Sequence, residues 1–532
     1  MYALMALIFI LGYLCIAFEH PLKIDKAASA ILTAVICWTV LVLGADSILP
    51  AVQSAGEHGP VAELRHHLGE ISEILFFLMG AMTIVELIDA HDGFKVITNR
   101  IQTSKRVPLL WMIGLITFFL SAALDNLTTT IVMVSLLKKL LDKREDRLFF
   151  AGIIIIAANA GGAWSPIGDV TTTMLWIGNQ ITASGIITQL FIPSLVCLLV
   201  PLVVLSFIMK GNFERPDAPQ EDENQGEPTT PFERNLVFCL GIGALLFVPV
   251  FKTITHLPPY MGIMFGLGVL WVVTEIMHRS KHDEHKHPLS VVGVLRKIDT
   301  TSILFFLGIL LAVSALATAG HLIQAATLLK ENLGNVYAIN IAIGLLSAVV
   351  DNVPLVAGSM KMYPLISPEA LAAAADTSWL GHFVVNGTFW EMLAYCAGTG
   401  GSCLIIGSAA GVAAMGMEKI DFIWYLKRIS LLALLGYLAG AATYIGLAML
   451  CATTDERQQR SEQDPHQFLP APVRGLVDRQ WQRRQRSGAD GCHWHAATHR
   501  AGHSGSTGRT GHRLHVRATA RRAQQCRALP YS

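Results

Sequence analysis

Long apolar stretches follow one another along the chain and alternate with short polar segments. A helix needs about 20 apolar residues to cross a bilayer, so each stretch of this length is a candidate span. Eight stretches are uninterrupted, at 2–18, 26–44, 70–90, 188–209, 232–251, 258–278, 300–319 and 427–450. Four longer ones are interrupted by polar residues, at 107–141, 148–181, 335–366 and 382–417. The pattern predicts an all-α polytopic membrane protein.

The interrupted stretches divide the chain into two halves with related sequences. Three pairs of segments match in the same order, with offsets of 229, 226 and 239 residues: Ile74–Leu78 with Ile303–Leu307, Ser121–Asn126 with Ser347–Asn352, and, more loosely, Gly161-Gly162 with Gly400-Gly401. Recurrence in register is the signature of an internal repeat. We therefore expect two transmembrane repeats, 1–210 and 232–450, joined by a polar linker at 211–231.

The Asp-Asn pair of each half is expected at the tip of a re-entrant hairpin. If both arms of a hairpin begin and end on one side, each half crosses the membrane five times, and the second half is inverted. Of the Lys and Arg residues up to residue 450, 22 then fall on one side and four on the other. Positive residues favour the cytoplasmic side. The charges therefore support two inverted repeats of about five spans, each with a re-entrant hairpin and a broken helix.

The composition argues against several other classes of protein. Charged residues make up 15% of the chain, whereas soluble domains carry about 25%. A net charge of +1 gives no indication of a nucleic-acid partner. Most cysteines lie in or beside apolar stretches without a Cys-x-x-Cys pair, which indicates packing rather than a metal site. The Arg-rich segment 451–532 has no apolar run and is expected to be a disordered tail.

Three aspartates interrupt apolar stretches at the predicted depth of the membrane. Asp125 and Asp351 belong to the two Asp-Asn pairs, and Asp169 follows a break at 164–168. A carboxylate at the bilayer centre costs about 2.5–3.5 kcal/mol and is tolerated where it faces a polar cavity. Interrupted helices also free main-chain oxygens, and oxygen ligands suit hard cations. These breaks are therefore candidate ion sites, although each aspartate could instead cap a helix.

Other polar residues near the breaks are candidates with simpler alternatives. Asn159 could contact an ion or bond to a neighbouring helix. Glu86 could lie on a proton path or at the membrane interface, and Glu391 could be a proton site or a cap. The threonines that follow the aspartates could bond to their own helices; these are Thr128, Thr129, Thr171 and Thr172.

Three segments around the breaks resemble those of one known family. SAALDNLTTTIVMVSLL at 121–137, GGAWSPIGDVTTTMLW at 161–176 and SAVVDNVPLVAGSM at 347–360 are similar to segments of the NhaD-type sodium/proton antiporters, which belong to the ion transporter superfamily. The resemblance covers about residues 1–450. It implies inverted repeats with two hairpins, and electrogenic exchange of Na⁺ or Li⁺ for H⁺ across the bacterial inner membrane.

The resemblance also implies which residues form the ion site. They are Ser121, Asp125, Asn126 and Thr128 in the first hairpin, Asn159, Asp169, Thr171 and Thr172 in the first broken helix, and Ser347 and Asn352 in the second hairpin. Na⁺ or Li⁺ is expected at Asp125, Asn126 and Asp169. The second half departs from the pattern, because no Asp follows Ile406-Gly407 and Val-Pro-Leu replaces Leu-Thr-Thr after its Asp-Asn pair. A direct ligand role for Asp351 is left undecided.

The expected mechanism is competition of Na⁺ with protons at Asp125 and Asp169, with access alternating as one repeat moves against the other. The expected partners are Na⁺, Li⁺, H⁺ and the lipid bilayer, with a homodimer left open, no cofactor and no enzymatic activity. An organic-acid or oxyanion carrier of the same superfamily is the alternative, although an acidic site repels anions. An intramembrane aspartyl protease normally carries Gly-x-Gly-Asp, whose first glycine is missing before Asp169. A channel has less need of paired titratable residues.

Overall fold

The computed structural model of the protein describes residues 1–49, 59–98, 103, 105–209, 211–212, 229–279, 288–374 and 376–463. All regular elements in this part of the chain are helices. The main ones are α1 (Tyr2–Ala17), α2 (Lys26–Leu43), α3 (Pro60–Ala90), α4 (Arg106–Leu124), α5 (Asn126–Leu140), α6 (Arg144–Ala163), α7 (Val170–Ile177), α8 (Ala183–Ile208), α9 (Pro231–Thr255), α10 (Pro259–Met277), α11 (Thr300–Thr318), α12 (His321–Leu333), α13 (Val336–Leu346), α14 (Asn352–Met362), α15 (Thr388–Gly400), α16 (Ala409–Glu418) and α17 (Ser430–Gln463). Nine helices of the described residues are long and apolar enough to cross a membrane, which confirms the predicted all-α polytopic architecture.

Each predicted interruption is a break between two helices. Asp125 separates α4 from α5, and residues 164–169 separate α6 from α7. In the second half, residues 347–351 separate α13 from α14, and residues 401–408 separate α15 from α16. The polar residues that interrupt the apolar pattern therefore coincide with the ends of helices.

Two helical features differ from the prediction. The third helix begins at Pro60 rather than at 70, because its first turns carry polar residues that extend it beyond the apolar stretch. Proline favours this first helical position, since it has no N–H group to leave unpaired. The helix α12 was not predicted. It is amphipathic, with Ala326 as its only buried residue, so it has no long apolar run by which a span is recognised.

The helices α4 and α6 run in the same direction, and α5 returns between them. Near the start of both helices, Arg106 Nη2 donates a hydrogen bond to Asp146 Oδ2 over 2.8 Å. Near their ends, Ser121 Oγ donates to the main-chain oxygen of Ala158 over 2.6 Å. The helices α4 and α5 are therefore the two arms of a hairpin with Asp125 at its tip.

The predicted second hairpin, which comprises α13 and α14, packs on α15 in the same register as the first hairpin packs on α6. Ser347 Oγ donates to the main-chain oxygen of Ala397 over 2.9 Å, as Ser121 does to Ala158. The matching serines of the two Ser-Ala-x-x-Asp-Asn segments therefore make equivalent contacts. The inverted orientation of the halves stays a prediction.

A glycine makes each of these close approaches feasible. A Cβ atom at Gly161 would lie 2.2 Å from the main-chain oxygen of Phe118, and one at Gly400 would lie 2.0 Å from that of Gly344. Both distances are far below a van der Waals contact, so the glycines allow helix and hairpin to touch through their backbones. The loosely matched glycine pairs of the sequence thus have equivalent places in the two halves.

The centre of the described molecule is formed by α6 and α15, one from each half. Every residue of α6 from Phe150 to Ala163 is buried, and so is every residue of α15 from Phe389 to Gly400. These two helices pack against each other, and α5 packs against α16. The two halves are therefore interleaved at the core.

Parts of the predicted domain organisation lie outside the described residues. Only the ends of the linker 211–231 are described, and α17 extends to Gln463. The linker, the Arg-rich tail beyond residue 463 and the repeat boundaries therefore remain predictions.

Candidate ion-binding site

Asp125 is held at the tip of the first hairpin in an unusual backbone conformation. Its φ of 131° and ψ of 161° fall in a region that is almost restricted to glycine. Such a conformation costs about 1–3 kcal/mol and is often found at functional sites. The carboxylate caps α5, because Oδ1 accepts from the Thr128 amide and Oδ2 from the Thr128 hydroxyl, both over 2.8 Å.

Asp169 joins both hairpins through one carboxylate oxygen. Its Oδ1 caps α7 by accepting from the Thr171 amide over 3.0 Å. Its Oδ2 accepts from Asn126 Nδ2 over 2.8 Å and from Asn352 Nδ2 over 3.3 Å. The side chain is 2% exposed. The structure therefore brings together Asp169 and the asparagines of both Asp-Asn pairs.

Asn159 extends this buried network across the core. Its Oδ1 accepts from Asn126 Nδ2 over 3.0 Å. Its Nδ2 donates to Ser402 Oγ over 2.8 Å and to Ser408 Oγ over 2.9 Å. Asn159 thus bonds to neighbouring helices and also lies next to the candidate ion site.

Ser402 and Ser408 were not predicted as site residues from the sequence. Ser408 caps α16 by accepting from the Gly411 amide over 3.2 Å, which is the role that Asp169 has for α7. The signal was present, since Ile406-Gly407-Ser408 stands 239 residues after 167–169, the offset of the glycine pairs. Ser408 is the uncharged counterpart of Asp169.

The hydroxyl groups near the breaks have different partners. Thr172 Oγ1 donates to the main-chain oxygen of Asp169 over 2.9 Å, so this threonine does bond to its own helix. Ser121 and Ser347 donate to main-chain oxygens of the broken helices. The hydroxyl group of Thr129 is buried without a hydrogen-bond partner among the described residues. Its oxygen is a further polar group at the start of α5.

Asp351 is paired with a lysine. One oxygen caps α14 by accepting from the Val353 amide over 3.2 Å. The other lies 3.8 Å from Lys26 Nζ. Asp125 and Asp351 each precede the asparagine, Asn126 or Asn352, that bonds to Asp169. All three predicted aspartates are therefore helix caps, as the simpler interpretation held, and all three surround the same region.

Glu86 and Glu391 lie away from this cluster. Glu391 is buried in the first turn of α15 and accepts from Tyr444 Oη of α17 over 2.8 Å. Glu86, on α3, is half-buried and lies 4.0 Å from Lys297 Nζ. The structure gives neither residue a contact with Asp125 or Asp169.

Two cavities reach the helices that carry the site. One, of about 420 Å³, includes Thr128, the partner of Asp125, in its lining. Its charged lining residues are Glu19, Asp25, Lys26, Glu86, Asp89, Lys297 and Asp299. The other, of about 510 Å³, is lined by Met174 of α7, Met360 of α14 and a group of polar residues around Glu70. The first cavity is lined by Lys26 and Lys297, and the second is lined by Lys361. The predicted topology places these two sets of lysines on opposite sides of the membrane.

The charges in the first cavity favour cations. Five carboxylates face two lysines there, and a cleft lined by one sign of charge concentrates the opposite ion. Beyond it, the site offers carboxylate, amide and hydroxyl oxygens, which are the ligands that hard cations prefer. The arrangement can bind either a small hard cation or protons.

Comparisons with known proteins match this chain to membrane transporters. Residues 7–379 match a family model described as a citrate transporter. Sodium/proton antiporter 1 of Arabidopsis thaliana is 50% identical over 443 residues, 83% of this chain and 72% of that protein. Sodium/proton antiporter 2 of the same plant is 46% identical over 446 residues, 83% of this chain and 99% of that protein. The Na⁺/H⁺ antiporter NhaD of Alkalimonas amylolytica is 30% identical over 468 residues, 83% of this chain and 89% of that protein.

Proposed function

The chain belongs to the family of NhaD-type sodium/proton antiporters, and from this membership we propose that Na⁺ or Li⁺ exchanges for H⁺ by competition at Asp125 and Asp169. It is a multi-pass membrane transporter. The observation that carries the proposal is the buried carboxylate of Asp169, which accepts hydrogen bonds from Asn126, the residue after Asp125, and from Asn352. A carboxyl group in this setting can be neutralised by a proton or by a cation.

The competition follows from the chemistry of the carboxylates. Burial and a like charge nearby both favour the neutral form of a carboxyl group. A proton or a sodium ion each supplies the missing positive charge, and the binding of one lowers the affinity for the other. Loss of protons towards one cavity then admits the cation, which leaves when protons return from the other.

The membrane and the fuller ion list are part of the proposal. The relatives include bacterial and plant proteins, so membership of the family does not by itself identify the membrane in which this protein lies. The motifs resemble those of the bacterial antiporters, and we place the protein in the bacterial inner membrane, where it would serve pH and salt homeostasis. Li⁺ is included as a second substrate, because its oxygen ligands are the same as those of Na⁺. A homodimer is compatible with this role.

The ion response of everted membrane vesicles tests the proposed exchange. Respiration first acidifies the vesicle lumen, and NaCl, LiCl or KCl is then added while a pH-sensitive dye reports the pH gradient. We expect Na⁺ and Li⁺ to dissipate the gradient and K⁺ to have little effect. Vesicles from the same host without the protein are the control. Absence of any cation response across an acidic-to-alkaline pH series would rule the exchange out.

A carrier of organic acids is the second candidate, because the matching family model is described as a citrate transporter. The site residues argue against it, since carboxylates beside a bound tricarboxylate would repel it. We expect vesicles to take up no labelled citrate, succinate or arsenite above the control, with or without a Na⁺ gradient. Na⁺-dependent uptake of any of the three would favour the carrier over the antiporter.

A further inference from the structure

Lys26 stands between the first cavity and the second hairpin. It is the first residue of α2, and its main-chain N–H faces Glu19 Oε1 over 3.4 Å. Its Nζ lies 3.8 Å from Asp351 Oδ2 and 4.7 Å from the centre of the buried Phe305 ring. Aromatic faces attract cations, so the ring and the carboxylate together fix the ammonium group.

The surroundings of Lys26 connect it to the ion site. The residue lines the 420 Å³ cavity and also a smaller one of about 60 Å³, whose lining includes Asp351 and Ser408. Ser408 is bonded to Asn159, which belongs to the network of Asp169. The ammonium group therefore lies where a cation that moves from the larger cavity towards the network would meet Asp351.

We propose that Lys26 is a built-in competitor that occupies Asp351 in place of a transported cation and thereby sets the affinity for Na⁺. This inference rests on the proposed exchange of cations. The ammonium group has the charge of Na⁺ and uses the same carboxylate oxygen, but it is tethered and cannot leave. A sodium ion binds at Asp351 only when Lys26 withdraws, and its return promotes release of the ion. Asp351 is thereby a specificity-determining residue whose charge is balanced from within the protein.

The proposal predicts opposite effects for the two members of the pair. Lys26→Gln frees the Asp351 carboxylate, so the Na⁺ concentration for half-maximal exchange falls by roughly twofold to fivefold, the range for one partly screened ion pair. Asp351→Asn leaves the ammonium group without its carboxylate, so the half-maximal concentration rises. Lys26→Arg keeps the charge and stays close to the wild-type value. In the double variant K26Q/D351N, the gain of K26Q is lost.

Lys297 supplies a matched control. It lines the same larger cavity, lies 4.0 Å from Glu86 Oε1, and does not line the smaller cavity. Lys297→Gln removes the same charge and is expected to change the half-maximal Na⁺ concentration much less than K26Q. An equal effect of both variants would overturn the proposal, because it would show that the Na⁺ affinity depends only on the total charge of the cavity.

The measurement is the dissipation of the pH gradient against Na⁺ concentration in everted vesicles, with the amount of inserted protein determined for each variant. If K26Q does not reach the membrane, the D351N variant tests the proposal instead. An unchanged half-maximal Na⁺ concentration in D351N would show that Asp351 is not on the ion path and would overturn the proposal. An unresponsive wild type would instead contradict the proposed exchange itself. The two failures are therefore distinguishable.

Discussion

Replacement of Asp125 by asparagine is expected to abolish Na⁺-dependent dissipation of the pH gradient while the protein still inserts. Asparagine caps helices as well as aspartate does and has nearly the same size and shape, so it meets the same backbone constraint as the native residue. The variant therefore keeps the hairpin tip, where φ is 131°, and removes the charge. Without that charge the site loses a group that binds either a cation or a proton. Everted vesicles and the amount of protein in the membrane are the two measurements.

Asp421→Asn is the matched control for this variant. Asp421 is an exposed cap that accepts from the Trp424 amide over 2.9 Å, at the start of the short helix Phe422–Arg428. It is not in the lining of either cavity that reaches the site. The same chemical change there should leave exchange intact. Near-normal exchange in Asp125→Asn would remove Asp125 from the ion site.

Alanine at Gly161 or Gly400 is expected to reduce stability more than any other glycine-to-alanine change named here. The added methyl group would lie 2.2 Å or 2.0 Å from a main-chain oxygen of the facing hairpin, so the two backbones must separate. Overpacking of this kind typically costs about 1–3 kcal/mol. The separation also pulls the Asp-Asn pair away from its broken helix. We expect a lower melting temperature of the purified protein and a smaller fraction that inserts.

Gly416→Ala separates the steric effect from the change of residue type. Gly416 lies in α16, and a Cβ atom there would have no other atom within 4 Å. Alanine in an unobstructed helical position is favoured over glycine by roughly 0.5–1 kcal/mol. This variant should therefore melt at the wild-type temperature or slightly above. Equal melting temperatures for Gly161→Ala, Gly400→Ala and Gly416→Ala would contradict the close backbone contacts.

The sequence predicted the spans and breaks because membrane helices obey a simple solvent rule. Apolar length identifies a span, and a carboxylate within such a stretch needs a polar environment. Asp125 and Asp169 could be located in this way. The same rule does not detect α12, because this helix is amphipathic and its ends carry polar residues.

The partners across the core could not be predicted in the same way. Ser402 and Ser408 contact Asn159 because α6 and α15 pack together, and periodicity along one helix does not report which face meets another helix. Serine is also common in caps, so its chemistry alone did not mark it. Lys26 stands 325 residues before Asp351, and only the fold brings the two charges together.

The interleaved core bears on how access could alternate. The repeated sequence predicts that one repeat moves against the other. In the structure α5 packs on α16 and α6 packs on α15, so helices of both halves share the core around the site. If one half moved as a rigid body, these contacts between the halves would have to break. A rearrangement that keeps them together moves helices from both halves at once.

The bonding of Asp169 Oδ2 has a thermodynamic consequence for the whole cycle. A carboxylate oxygen has about two lone pairs, and both are used here by Asn126 and Asn352. A cation that binds this oxygen must weaken at least one of these bonds, and each amide comes from a different hairpin. By reciprocity, any displacement of a hairpin that weakens its bond must change the affinity for the cation by the same free energy. Ion occupancy and the relative position of the two halves are therefore thermodynamically coupled through a single atom, Asp169 Oδ2.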